Sequence, residues 1–157
     1  MDRFYTDQSG GTFMGLFDFV KSKKERTVAN MIELLDQHDR GEINDRIFLK
    51  SFGKTQVFYS TPFGDHKDGE QKVFLLPGPD RTGYHPVFSS RERLVEFYEK
   101  AGRVGYVIMQ AYFTSILETT KKSNANAPIK MGIIIDPGYY NVTVNADMLD
   151  AVIDMTK

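Results

Sequence analysis

Residues 84–94 read YHPVFSSRERL, a stretch that joins a short strand to the start of a helix. The aromatic and β-branched residues before Ser89 favour a strand. Ser89 or Ser90 then predicts the start of a helix, because a serine hydroxyl accepts a hydrogen bond from an unpaired amide of the first turn. Pro86 has no backbone N–H, so we expect this strand at a sheet edge or at the start of a strand.

The segments on either side continue the alternation of strands and helices. Val28, Ile32 and Leu35 share one helical stripe, and the apolar run 131–135 is typical of a strand buried on both faces. We expect Phe63 to Glu70, with two glycines and four charged residues, to be a hairpin loop. The predicted strands are residues 56–60, 72–76, 84–88, 131–135 and 140–144, with a strand-like segment at 105–109. This order predicts an α+β domain, in which helices pack on a mixed β-sheet of about five strands.

The chain has the length of one domain, 157 residues. Residues 1–13 are polar and contain glycine, and we interpret them as an arm or as residues added for expression. Residues 14–157 then form the single domain. Leu16 to Val20 is apolar and is followed by basic residues, a pattern that favours a short helix folded onto the core over a membrane contact.

The composition excludes several classes of function. Because cysteine is absent, disulfides, thiolate catalysis, cysteine-based zinc sites and iron–sulfur clusters are ruled out. Lys and Arg number 20 against 21 Asp and Glu, a balance that argues against nucleic-acid binding. No apolar run approaches the roughly 20 residues that span a bilayer, and no signal peptide is recognisable, so we expect a cytoplasmic protein without a membrane span.

The three histidines belong to no recognisable catalytic motif. A Gly-x-Ser-x-Gly nucleophile motif is absent, and nothing in the spacing of His38, His66 and His85 draws them together. Residues 65–68, DHKD, lack the alternating oxygen ligands of a calcium loop. We therefore expect no catalytic residue, no metal site and no cofactor, with His66 and His85 as the candidates if the chain is an enzyme.

Aromatic residues beside turns and charged segments are the remaining candidates for function. Tyrosines bury a large area at a small entropic cost when they enter a protein interface. Loops on a rigid scaffold often carry recognition. The candidate partner-binding residues are Phe63, Asp65, His66, Asp68, Tyr139 and Tyr140.

The strand-to-helix step resembles a known family. Residues 84–94 are similar to the "lPvFTS-x-E-R-L" signature of the SseB amino-terminal domain family, and residues 133–138, IIIDPG, are similar to its apolar strand that ends in "NPG". The resemblance extends from Ile43 to Met155. Asp136 stands where the family usually has Asn, and both residues tolerate turn geometry. The resemblance implies an SseB-like α+β fold and transfers no catalytic residue.

These observations favour a non-catalytic protein-binding domain of SseB-like type. The resemblance implies a bacterial protein, and a small, nearly neutral domain suits an immunity protein that neutralises a cognate toxin. A housekeeping adaptor or regulator, similar to the SseB proteins linked to serine sensitivity, is the second hypothesis. An enzyme that uses His66 or His85 is the third. The oligomeric state and the face that binds the partner stay open.

Overall fold

The computed structural model describes residues 30–157. The expected arm at residues 1–13, the segment Leu16 to Val20 and Val28 of the first predicted helix lie outside the described residues. The helices are α1 (residues 30–39), α2 (Asp45–Phe52), α3 (Arg91–Lys100), α4 (Phe113–Asn124) and α5 (Leu149–Met155). The strands are β1 (Gln56–Tyr59), β2 (Phe63–His66), β3 (Gln71–Val73), β4 (Leu76–Pro77), β5 (Gly83–Val87), β6 (Arg103–Val104), β7 (Met109–Tyr112), β8 (Met131–Ile135) and β9 (Val142–Val144).

The described strands form a mixed four-stranded sheet and two smaller sheets. The four-stranded sheet has the order β4–β5–β8–β9, in which β5 and β8 are parallel and the outer pairs are antiparallel. The smaller sheets are β1–β7 and β3–β2–β6. A single bridge between Phe58 and Phe88 connects β1 to the chain just after β5. The α+β class and the mixed sheet are confirmed, but the strands are divided among three sheets, the largest of four strands.

Four local predictions differ from the structure. The predicted strand 72–76 is divided between β3 and β4, which belong to different sheets. β2 occupies residues predicted as a hairpin loop, because it pairs with β3 on one side and with β6 on the other. The prediction of a strand at residues 105–109 is wrong, since β7 begins only at Met109, where its pairing with β1 starts. β5 lies between β4 and β8 instead of at an edge. The two-residue β4 pairs only with the first two residues of β5, so Pro86 lies beyond that ladder.

The predicted helix start after β5 is formed by Ser90. Its hydroxyl accepts a hydrogen bond from the backbone amide of Arg93 at 3.2 Å and caps α3. The main core packs helices on the sheet and consists of Met31, Leu35, Phe48, Leu49, Phe52, Val57, Val87, Phe113, Ile116, Leu117, Ile133, Ile135, Val144, Leu149, Val152 and Ile153. A second buried cluster, Phe74, Phe88, Leu94 and Tyr98, packs against α3. Full burial of one such side chain contributes about 1.5–3 kcal/mol, so the second cluster, which includes Leu94 and Tyr98 of α3, holds this helix in place.

Candidate partner-binding surface

A buried carboxylate joins the turn after β8 to the start of α3. Asp136 is fully buried, and its φ of 49° lies in the left-handed region that Asp tolerates. Its carboxylate accepts hydrogen bonds from the backbone amide of Ser89 at 2.8 Å and from the Ser89 hydroxyl at 2.6 Å. The Arg93 guanidinium donates a third bond at 2.8 Å. These donors compensate the burial of a charge and hold the turn against α3.

The two predicted tyrosines lie against Arg93. The guanidinium carbon is 4.2 Å from the ring centroid of Tyr139 and 5.4 Å from that of Tyr140, both within cation–π range. The Tyr139 hydroxyl donates to Glu96, a bond that raises the pKa of Tyr139 and lowers the pKa of Glu96. The Tyr140 hydroxyl donates to Asp36, and burial raises the pKa of Tyr140. Tyr139 is exposed, whereas Tyr140 is partly buried between α1 and the turn.

The three-stranded sheet presents apolar side chains to solvent on one face. Phe63 lies opposite Val73 of β3. Asp65, two residues further along β2, lies opposite Gln71 of β3 and Val104 of β6. Paired residues, and residues two apart in a strand, point to the same face. Phe63, Val73 and Val104 are exposed by 62%, 50% and 44%. We call the surface formed by these five side chains the outer sheet face.

The turn after β2 places His66 and Asp68 together on a different surface. His66 points to the opposite side of β2 from Asp65, and its ring packs against Gly102 at the end of α3. The His66 Nδ1 is 3.1 Å from an oxygen of Asp68. The backbone amide of Glu70 donates to Asp68, which lowers the pKa of Asp68. The turn is therefore an ordered charged loop beside the C-terminal end of α3.

Arg103 supports β2 from the side opposite the outer sheet face. It is 4% exposed, and its guanidinium carbon is 4.8, 4.6 and 5.4 Å from the ring centroids of Phe74, Tyr98 and Tyr106. Its Nη2 donates to the carbonyl oxygen of Phe63 at 3.1 Å. Its Nε and Nη1 have no hydrogen-bond partner among the described residues, and neither has the Tyr98 hydroxyl. Burial raises the pKa of Tyr98 to about 12. The rings stabilise the buried cation, and the cation fixes the backbone at Phe63.

An apolar cavity of about 710 Å³ opens beside the outer sheet face. Phe63 and Val73 belong to both the cavity wall and the outer sheet face. His85 also lines the cavity and is 7% exposed. Further lining residues are Leu75, Met109, Ile116, Thr119, Ile129 and Met131. We call this space the apolar cavity.

Neither candidate catalytic histidine meets a carboxylate inside a pocket of the described residues. His66 meets Asp68, but on the charged turn and outside the wall of the apolar cavity. His85 lines the cavity, and its Nε2 lies 2.7 Å from the carbonyl oxygen of Ser60. Burial lowers the pKa of His85 below its ordinary value. An acid–base role for either residue gains no support from this geometry.

The structure separates the six predicted residues into three positions. Phe63 and Asp65 are on the outer sheet face, and His66 and Asp68 are on the turn beside the C-terminal end of α3. Tyr139 and Tyr140 lie beside the N-terminal half of α3, at Arg93. Because α3 rises about 1.5 Å per residue, the two ends are on the order of 15 Å apart.

Sequence reasoning missed three members of the outer sheet face and the arginine beneath it. The exposure of Val73, and with it that of Gln71 two residues earlier, was predictable, because alternation with buried Phe74 places Val73 on the exposed face. The exposure of Val104 was not predictable, since β6 has only two residues. The burial of Arg103 was not predictable from the sequence either, because arginine is rarely buried without a charged partner.

Two further properties bear on function. Across residues 30–157, every helix is too short or too polar to cross a bilayer. Within the same range, no three His, Asp or Glu side chains lie close enough together to hold a metal ion.

Comparison with known proteins identifies the family. A family model of the SseB protein N-terminal domain matches residues 30–151, a range that includes both the Ser89 step and the Asp136 turn. A search of curated proteins and a search of solved structures each return no match. Since the family model covers most of the chain, this protein belongs to the SseB protein N-terminal domain family.

Proposed function

We propose that this chain is a protein-binding domain without catalytic activity and that the outer sheet face is its binding surface. The observation that carries the proposal is the joint exposure of Phe63, Val73 and Val104 on one face of one small sheet. Single exposed apolar residues are common on protein surfaces, but a group on one face is typical of an interaction site.

The polar residues at the centre of the outer sheet face orient a bound partner. The Gln71 amide donates to the Asp65 carboxylate, and both side chains are exposed between the apolar ones. Interfaces combine apolar anchors with polar groups that are paired on binding. A partner that covers Phe63 and Val73 therefore needs a hydrogen-bond donor, such as Lys or Arg, near Asp65.

Arg103 prepares this surface for binding. Its bond to the Phe63 carbonyl and its packing on three rings fix β2 before a partner arrives. A surface that is already ordered loses less conformational entropy on association. This rigidity supports recognition by the sheet itself.

The partner we place first is a cognate toxin, which makes the chain an immunity protein. The motivation is a small domain of net charge −1 in which neither His66 nor His85 meets a carboxylate at the apolar cavity. The alternative is a housekeeping adaptor whose partner is a cellular regulator. The two differ in where the partner is encoded, because a toxin gene lies directly beside the gene of its immunity protein.

Affinity capture from the native organism, with mass spectrometry of the eluate, tests the proposal. Three baits are compared: the full chain, the full chain with Val104→Glu, and the full chain with Ile47→Glu. Ile47 is exposed by 51% on α2, away from the outer sheet face, so it controls for the added charge. We expect one stoichiometric partner with the unchanged bait and with Ile47→Glu, and its loss with Val104→Glu.

The other outcomes are equally informative. An empty capture contradicts the protein-binding proposal, and equal capture by all three baits contradicts the assigned surface. A partner encoded by the neighbouring gene supports the immunity protein, whereas a partner encoded elsewhere in the genome supports the housekeeping adaptor. Replacement of His66 and His85 by alanine tests the third hypothesis, since an enzyme that uses either residue loses its activity.

A further inference from the structure

The apolar cavity is free of formal charge in the part of the chain that the structure describes. Its described lining residues include no Asp, Glu, Lys or Arg. The polar side chains in the wall are the neutral hydroxyls of Tyr59, Thr61, Thr119, Thr120 and Ser123, together with His85. A charged ligand would lose its hydration here without gaining an ionic partner.

His85 lines the cavity and carries one hydrogen-bond acceptor that is not used by the Ser60 carbonyl. Its Nε2 lies 2.7 Å from the carbonyl oxygen of Ser60. A carbonyl oxygen only accepts, so Nε2 carries the proton, and the Nδ1 of the neutral ring is then an acceptor. Burial lowers the pKa of His85, which keeps the ring neutral at physiological pH. A ligand hydroxyl or N–H satisfies this acceptor.

We infer that the apolar cavity binds an uncharged, mainly hydrocarbon small molecule that carries one hydroxyl or N–H donor directed at His85. The volume of about 710 Å³ lies within the range of about 300–1,000 Å³ that is typical of small-molecule sites. Such sites combine an apolar wall with a few polar groups that orient the ligand. The cavity shares Phe63 and Val73 with the outer sheet face, but Val104 does not line it, so Val104→Glu tests the protein partner without changing the cavity wall.

Three probes with a ten-carbon chain test the inference on the full chain: decanol, decyl methyl ether and decanoate at pH 8. Calorimetry gives each Kd, and thermal unfolding gives each shift in Tm. Decanol is expected to bind and to raise the Tm. The ether lacks the donor and is expected to bind about tenfold more weakly, the effect of losing one hydrogen bond. Decanoate is expected to bind at least tenfold more weakly than decanol, because its charge is not compensated.

A pair of variants on α4 locates the binding. Thr119→Glu places a carboxylate at the cavity wall from an exposed helix position, whereas Ser115→Glu adds the same charge at an exposed position outside the wall. We expect Thr119→Glu to weaken decanol binding at least tenfold and Ser115→Glu to leave it unchanged. Absence of decanol binding, equal binding of decanoate, or equal effects of the two variants overturns the inference.

Discussion

The carboxylate of Asp136 accepts hydrogen bonds from both the backbone amide and the hydroxyl of Ser89, although 47 positions separate the two residues. Ser89 follows β5 and Asp136 follows β8, and these strands are parallel neighbours with Val87 paired to Ile135. Their carboxyl ends therefore meet at one edge of the sheet. The two short motifs that carry the resemblance thus form a single structural unit, which joins α3 to the Tyr139 turn.

Replacing Asp136 by Asn is expected to lower the free energy of unfolding by about 2–3 kcal/mol. Asn tolerates the left-handed backbone, but its amide has one acceptor oxygen for the donors of Ser89 and Arg93. Urea unfolding measures the change. Glu42→Gln, which removes an exposed ion pair with Arg40, is the control and should cause no measurable loss. Equal losses in both variants would show that the buried carboxylate is unimportant.

The stability of the fold should decrease on acidification because of His85. Burial holds the pKa of His85 below its ordinary value of 6.5. Below about pH 6.5 the His85 ring is protonated in the unfolded chain but stays neutral in the folded chain. The contribution of His85 to the free energy of unfolding is therefore fully present above that pH and is lost as the pH falls toward the folded-state pKa. The decline is at most about 1.4 kcal/mol per pH unit for one group.

A His85→Gln variant isolates this effect. Glutamine keeps a donor for the Ser60 carbonyl and does not titrate. Urea unfolding at pH 7.5 and pH 5.5 should show a smaller loss of stability in the variant than in the unchanged protein. The same loss in both proteins would assign the pH dependence to other groups.

Gly132 of β8 has no room for a side chain. A Cβ at this position would lie 2.2 Å from the carbonyl oxygen of Val144, on the neighbouring strand β9. Gly132→Ala is therefore expected to lower the free energy of unfolding by about 3 kcal/mol, since backbone must move. Gly41→Ala is the control, because Gly41 has a φ of 73° and open space around it. Its loss should be about 1 kcal/mol, and a Gly132→Ala loss no larger would refute the close strand contact.

Arg103→Lys is expected to destabilise the fold by about 2 kcal/mol. Lysine keeps the charge but loses the planar group that packs on Phe74, Tyr98 and Tyr106 while it donates to the Phe63 carbonyl. Thermal unfolding measures the change. Arg40→Lys, at an exposed ion pair, should leave the Tm unchanged. An unchanged Tm for Arg103→Lys would mean that charge alone is sufficient at this position.

Local patterns in the sequence predicted the elements that depend on neighbouring residues. The Ser90 cap needs only an amide three residues later, and the run at residues 131–135 needs only continuous apolar side chains to indicate a buried strand. Both are present in the structure. The family signature resides in these same segments, which is why it was recognisable.

Features that depend on distant partners were not predictable. β2 carries Asp65 and His66 and resembles a loop, yet it pairs with β6, which follows α3 nearly 40 residues later along the chain. The Asp136 turn was predicted, but its partner Ser89 was not. The lining residues of the apolar cavity come from β1, β2, β3, β5, β7, β8, α4 and the segment after α4, so no single stretch of sequence predicts it.

Methyl NMR of the labelled protein, titrated with the purified partner, tests the outer sheet face most directly. The account predicts that the methyl resonances of Val73 and Val104 shift or broaden on binding, because both side chains become covered. Those of Ile47 on α2 and Val95 on α3 should stay unchanged. Changes confined to Ile47 or Val95, with Val73 and Val104 unaffected, would contradict the assignment of the outer sheet face as the binding surface.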